Sequence, residues 1–308
     1  MYLEALQICR RLVKDNPQTY EPDLAKTLNN LGLLYHNTQR FYESEANYLE
    51  ALEIRRRLAK DNPQAYESDA VQTLNNLAAL YFDTQRLTES ETMYLEVLEI
   101  YSRLAKDDPE ALKSALAQTL NDLGQLKMNQ ELYNEAISYF NDASALFKEP
   151  TNTEISPQQW FEYGKSLYYL SNLYSAINEH RKCYDTYEEF ISILRNHFLH
   201  QPDYNRNDYV EALGSQSFQC IFVGQLEKAE QYAREALSID PTQHWINTNL
   251  AASLLLQGKY NDAEALYRQY KDELKDSFLD DFNEFEAEGI ILKERMADVE
   301  RIRKMLNE

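Results

Sequence analysis

The sequence predicts an all-α protein assembled from helical hairpins, and three observations carry that expectation. A nine-residue phrase, TLNNLGLLY at Thr27–Tyr35, returns as TLNNLAALY at Thr73–Tyr81 and as TLNDLGQLK from Thr119. Both steps, 27 to 73 and 73 to 119, are 46 residues. Within each copy the apolar residues keep helical spacing, so that Leu28, Leu31, Leu34 and Tyr35 share one face. The composition agrees: seven glycines and eight prolines are few for 308 residues, while Leu, Ala, Glu, Gln, Asn and Tyr dominate.

Each element follows from local chemistry. After the polar turn HNTQR, residues Tyr48, Ala51, Leu52, Ile54 and Leu58 mark a second amphipathic helix. KDNPQ then interrupts it, because Pro63 cannot continue a helix and biases Asn62 toward extended backbone. Pro17, Pro63 and Pro109 keep the 46-residue step. A single hairpin cannot cover its own apolar face, so neighbours must.

The spelling resembles the tetratricopeptide repeat, in the long variant found in kinesin light chains and many bacterial proteins. That pattern sets large, large, small and tyrosine on a first helix and small, aromatic, small on a second. Leu28, Leu31, Gly32 and Tyr35, then Ser44, Tyr48 and Ala51, match it. So do Leu74, Leu77, Ala78 and Tyr81, then Ser90, Tyr94 and Val97. The third copy has Leu120, Leu123, Gly124, Ala136, Phe140 and Ala143, but Lys127 replaces the tyrosine, which predicts looser packing or a contact peculiar to that repeat. Weaker copies place Leu167, Leu170, Ser171, Tyr174, Cys183 and Tyr187, then Leu213, Ser217, Gly224, Ala229 and Ala236, in the same roles. Leu250, Ala251, Gly258, Ala263 and Tyr267 complete a shorter one.

The resemblance implies a right-handed α-solenoid of antiparallel helix pairs. The layout expected is a second helix of a leading repeat at 1–23, then repeats at 24–69, 70–115, 116–156, 157–206 (divergent), 207–241 and 242–276, and a helical cap at 277–308. MYLEALQICRRLVKDNPQ aligns with NYLEALEIRRRLAKDNPQ at the usual offset, so Met1 stands in mid-repeat and more protein is expected upstream.

The formal charge is −20 and the pI near 4.7. Such a surface repels a phosphate backbone and an anionic membrane, and favours a neutral or basic peptide. The run Arg55-Arg56-Arg57 is too short to reverse that field. Cys9, Cys183 and Cys220 are odd in number and far apart, which fits a reducing compartment rather than a disulfide framework. No apolar run is long enough to span a bilayer and no signal-peptide pattern opens the chain, so a soluble, cytoplasmic protein is expected.

Catalytic and metal chemistry find little support. His180-x-x-Cys183 and His197-x-x-His200 have ligand types and spacings that suit zinc. A continuous helix between the pairs would hold them roughly 20 Å apart, too far for one ion; Cys183 reads better as the small packing residue of its hairpin. YGKS at Tyr163–Ser166 ends like a phosphate-binding loop, but Gln159 stands where its first glycine is required. Acidic pairs such as Glu188-Glu189 and Asp280-Asp281 read as solvated helix surface. No cofactor, metal or enzymatic activity is expected.

The resemblance also implies which positions face an inner groove. They are Lys26, Asn29, Asn30, Leu33 and Asn37, then Gln72, Asn75, Asn76, Ala79 and Asp83. Asn121, Asp122 and Gln125 follow, and Tyr169, Asn172, Ser215 and Asn249 continue the line. Asparagine amides offer both donor and acceptor, which suits the backbone of an extended peptide, as related asparagines do in kinesin light chains. Equally, asparagines at these sites can bridge neighbouring helices or meet water. Lys26 and Lys165 form no matched basic pair, so capture of an acidic tail is not expected. Two readings remain: a non-catalytic scaffold binding a peptide or protein segment, or a regulatory or sensor region of a larger bacterial signalling protein or enzyme.

Overall fold

The computed structural model describes residues 2–106, 108–148, 156–200 and 206–308, excepting the side chains of 196–200. It divides into two units, Met1–Tyr163 and Gly164–Glu308. The described residues form fourteen α-helices, packed in sequence as antiparallel pairs. The first unit holds α1 (Tyr2–Asp15), α2 (Pro17–Asn37), α3 (Phe41–Asp61), α4 (Pro63–Asp83), α5 (Leu87–Leu104), α6 (Pro109–Asn129) and α7 (Tyr133–Ala145). The division falls inside α8 (Pro157–Ala176), and α9 (His180–His200), α10 (Arg206–Phe222) and α11 (Leu226–Ile239) follow. The second unit ends with α12 (Ile246–Leu256), α13 (Tyr260–Ala287) and α14 (Met296–Asn307).

The periodic prolines begin helices as well as ending them. Pro17, Pro63 and Pro109 open α2, α4 and α6 at the first turn, where a missing N–H costs nothing. Asn16, Asn62 and Asp108 hold extended backbone just before them, and their side chains accept from the amides of Thr19, Ala65 and Ala111 at 3.3, 3.3 and 3.1 Å.

Small residues let the paired helices touch. A Cβ built on Gly32 would meet the Tyr48 ring at 2.6 Å, and one on Gly124 would meet Phe140 at 2.5 Å. Across the same crossing the Ser44 hydroxyl donates to the Gly32 carbonyl and Ser90 to that of Ala78, both at 2.8 Å. Cys183 donates its thiol to the Ser171 carbonyl at 3.3 Å in the second unit, and it is fully buried. Its role is that of the serines.

Lys127 is not loosely packed. It is buried, with Nζ 2.8 Å from Glu91 and 3.0 Å from Glu135. The basic run is likewise absorbed: Arg55 is buried and donates to the Asp69 carbonyl and the Thr73 hydroxyl, while Arg56 pairs with Glu96 and Arg57 with Glu21. Each arginine of that run thus already has an oxygen partner within the protein.

One departure concerns the end of the chain. The Tyr267 ring lies 4.6 Å from that of Phe278 and 5.6 Å from that of Phe282. Fifteen residues of straight helix span roughly 22 Å, so α13 must double back between Tyr267 and Phe278. Its second limb buries Phe278, Phe282 and Phe285, and α14 packs against α13. The two are joined by a left-handed residue, Gly289 (φ 68°), with the Ile290 amide bonded to the Phe285 carbonyl at 2.8 Å. The same turn, with the same bond, joins the earlier pairs at Gln39, Gln85, Glu131, Asn178, Gly224 and Gly258. The segment proposed as a cap is thus itself built as a hairpin.

Candidate functional site

The predicted groove residues divide by unit. In the first, Asn76 donates to the Asn29 carboxamide at 3.0 Å, joining α4 to α2. Asn121 is fully buried and donates to the Glu162 carbonyl at 3.1 Å. Gln125 reaches back to the Asn121 carbonyl at 3.5 Å, and Gln72 accepts from Arg55 at 3.3 Å. Asp83 pairs with His36 at 2.8 Å. Lys26 and Asn37 are exposed, Asp122 is half-buried, and Asn30 and Asn75, also half-buried, make no side-chain hydrogen bond with described residues. Several amides here therefore tie helix to helix.

In the second unit the structure brings three predicted residues together. Asn172, Ser215 and Asn249 line one cleft of about 540 Å³ between α8, α10 and α12, closed on one side by the second limb of α13. Tyr169 is half-buried one helical turn before Asn172, its ring 5.6 Å from Tyr168, and does not line the cleft. Each wall is set by a bond behind it. Asn172 accepts from the Tyr187 hydroxyl at 3.3 Å, and Asn249 donates to the Gly214 carbonyl at 2.9 Å. Trp245, just ahead of α12, lays its ring so close to Gly214 that a Cβ there would meet it at 2.4 Å.

The other nine residues lining the cleft were not predicted as groove residues, among them Trp245, Gln219 and Asp281. Gln219 donates to the Ser175 hydroxyl at 3.2 Å and bonds His180 Nδ1 at 3.2 Å. His180, half of the zinc-like pattern, is stacked on Phe222 at 4.0 Å, and α9 runs unbroken from His180 to His200. The side chains of His197 and His200 lie outside the described residues. YGKS sits inside α8, where no phosphate-cradling loop exists.

Asp281 corrects the reading of acidic pairs as solvated surface. Its Oδ2 is buried without a hydrogen-bond partner. Burial pushes the carboxyl up to about 7, with Glu284 and Asp280 adding to the shift and Thr248 opposing it. The sequence signal was present: Asp281 interrupts an apolar stripe of Phe278, Phe282 and Phe285 at helical spacing. Glu188 is also engaged, accepting from Gln216 at 2.9 Å and Tyr232 at 2.7 Å.

Models of the tetratricopeptide repeat match residues 24–64, 69–149 and 223–278, together more than half of the chain. The chain is a tetratricopeptide-repeat protein. Similar solved structures include BtubC (BKLC) from P. vanneervenii, 20% identical, covering 78% of this chain and 89% of that one at a TM-score of 0.58. A signal transduction ATPase with numerous domains and a tetratricopeptide repeat sensor, from Pyrococcus horikoshii, is 21% identical at a TM-score of 0.58. That match covers 84% of this chain but only 38% of the Pyrococcus protein. A putative kinesin light chain with nearly identical repeats, from Podosopora anserina, is 14% identical, covering 72% and 98% at a TM-score of 0.51. At these identities the likeness is one of fold. No curated protein matches the chain. Among the described residues, no helix of these repeats is long and apolar enough to cross a membrane.

Proposed function

We propose that this repeat array is a non-catalytic binding module that takes an extended peptide or protein segment in the cleft of its second unit. Tetratricopeptide repeats typically mediate contacts between proteins. The observation that carries the reading is the convergence of Asn172, Ser215 and Asn249 on one cleft, beside Trp245, a residue 39% exposed. Amides and hydroxyls can satisfy a peptide backbone, and a half-exposed indole supplies apolar contact at little entropic cost. The cleft has the size of ordinary ligand sites. In the first unit the bond between Asn29 and Asn76 engages the same residue type in holding helices together, which supports a centre of binding in the second unit. A sensor region of a larger signalling protein would use the same cleft.

The test is selection of short random peptides on the full chain. Enriched sequences should lose binding at least about tenfold with Ala176→Trp, which adds bulk at an exposed position on the cleft wall. The melting temperature should barely move. Enrichment of peptides that bind the blocked variant equally well, or of none at all, overturns the proposal.

A further inference from the structure

This inference rests on the peptide-binding reading and names what the cleft would select. Among the residues lining the cleft, Asp281 is the sole charged side chain. The groups facing it supply no counter-charge. On its own limb stand Asp280 and Glu284, both acidic, and Tyr267 approaches from the preceding limb. Trp245, Thr248 and Asn249 border the cleft at α12, Ser215, Phe218 and Gln219 at α10, and Tyr187 at α9; all are uncharged at neutral pH. His180, behind Gln219, acts on Glu284. The ionised form of a carboxyl withdrawn from water with one oxygen unpartnered is stabilised by whatever brings the missing charge and donor.

We propose that the cleft seats the cationic head of a lysine or arginine on the bound segment, with Asp281 as its counter-ion. The rings of Trp245 and Phe218 offer apolar surface for the side-chain stem, and an indole face favours a cation. An acidic side chain is excluded by like charge. The near-neutral titration of Asp281 adds a consequence: a cation favours the ionised form, so binding at pH 6 should release a proton.

The test compares acetylated, amidated peptides of serine, asparagine and glycine that differ only in a central lysine, arginine or norleucine, with n-butylammonium as a free cation. Calorimetry on the full chain should show the lysine and arginine peptides binding about tenfold or more tighter than the norleucine peptide at pH 8. Asp281→Asn should erase that preference while circular dichroism shows the helices intact, and buffer-dependent heats at pH 6 should report the released proton. Stability supplies an independent reading. The folded-state pKa of Asp281 is raised, so the native protein holds a proton that the unfolded chain has lost between pH 4 and 7. Wild-type stability should therefore fall relative to Asp281→Asn as pH rises through that window. Equal binding of norleucine and lysine peptides overturns the cation subsite while leaving peptide binding in place. A preference that survives Asp281→Asn overturns it too, as does failure of every cationic peptide to bind. Butylammonium binding as tightly as the lysine peptide overturns the peptide reading itself, leaving a small-amine site.

Discussion

Arg86 and Lys127 occupy different positions of neighbouring repeats, yet they hold equivalent carboxylates. Arg86 binds Glu45 at 2.8 Å and Glu89 at 3.0 Å, with its guanidinium 4.2 Å over the Tyr81 ring. Forty-six residues on, Tyr81 becomes Lys127, Arg86 becomes Leu132, and the glutamates become Glu91 and Glu135. Lys127 binds both. Burial alone would lower its pKa, but the two carboxylates outweigh burial and raise it. The cation has moved from the loop into the helix, and the tyrosine that it covered has gone with it. Lys127→Tyr alone should destabilise by about 2 kcal/mol, because the partly buried Glu91 and the exposed Glu135 lose their shared cation. Adding Leu132→Arg should recover about 1–2 kcal/mol of that loss, measured by denaturant unfolding as a double-mutant cycle. Strictly additive effects would show that the two positions do not exchange roles. The sequence marked Lys127 as a departure; what it touched was invisible, because its partner Glu91 lies on the preceding hairpin.

At the scale of elements, one turn recurs seven times among the described pairs, and the residue at its left-handed position changes along the chain. Gln39, Gln85, Glu131 and Asn178 occupy it in the first four pairs and Gly224, Gly258 and Gly289 in the last three. A side chain there costs roughly 1–2 kcal/mol through its Cβ, offset in part by the greater unfolded-chain entropy of glycine. A Cβ on Gly289 would meet nothing within 4 Å, so Gly289→Ala isolates the backbone cost. It should destabilise by about 1 kcal/mol, and Gln85→Gly should stabilise by about 0.5 kcal/mol, read from thermal melts. Matching signs for the two would mean that side-chain contacts, not backbone geometry, control this turn. The final hairpin escaped sequence reading because its first limb follows the previous helix without a proline, and the reversal is set by packing of Tyr267 on Phe278 and Phe282.

At the scale of the whole molecule, the charge of −20 sets the terms on which a partner approaches. A cationic segment is drawn in over a distance comparable to the Debye length, and salt shortens that reach. Affinity for the lysine peptide should fall severalfold between about 0.05 and 0.5 M salt, while the norleucine peptide should change little. A flat salt response for both would deny electrostatics any part in recognition.

The sequence by itself determined the all-α class, the 46-residue period, the helix breaks at the prolines and the small-residue crossings. These depend on contacts within a helix or across one hairpin, whose partners lie close along the chain. Asparagine roles were decided only by tertiary structure. Asn29 and Asn76 bond each other, Asn249 holds the Gly214 carbonyl, and Asn172 lines a cleft, though all four were read as one row. A carboxamide donates and accepts equally well toward helix, ligand or water, so its local spelling does not select a partner. The same holds for Asp281, whose buried, unpartnered Oδ2 becomes evident only when five helical segments meet around the cleft.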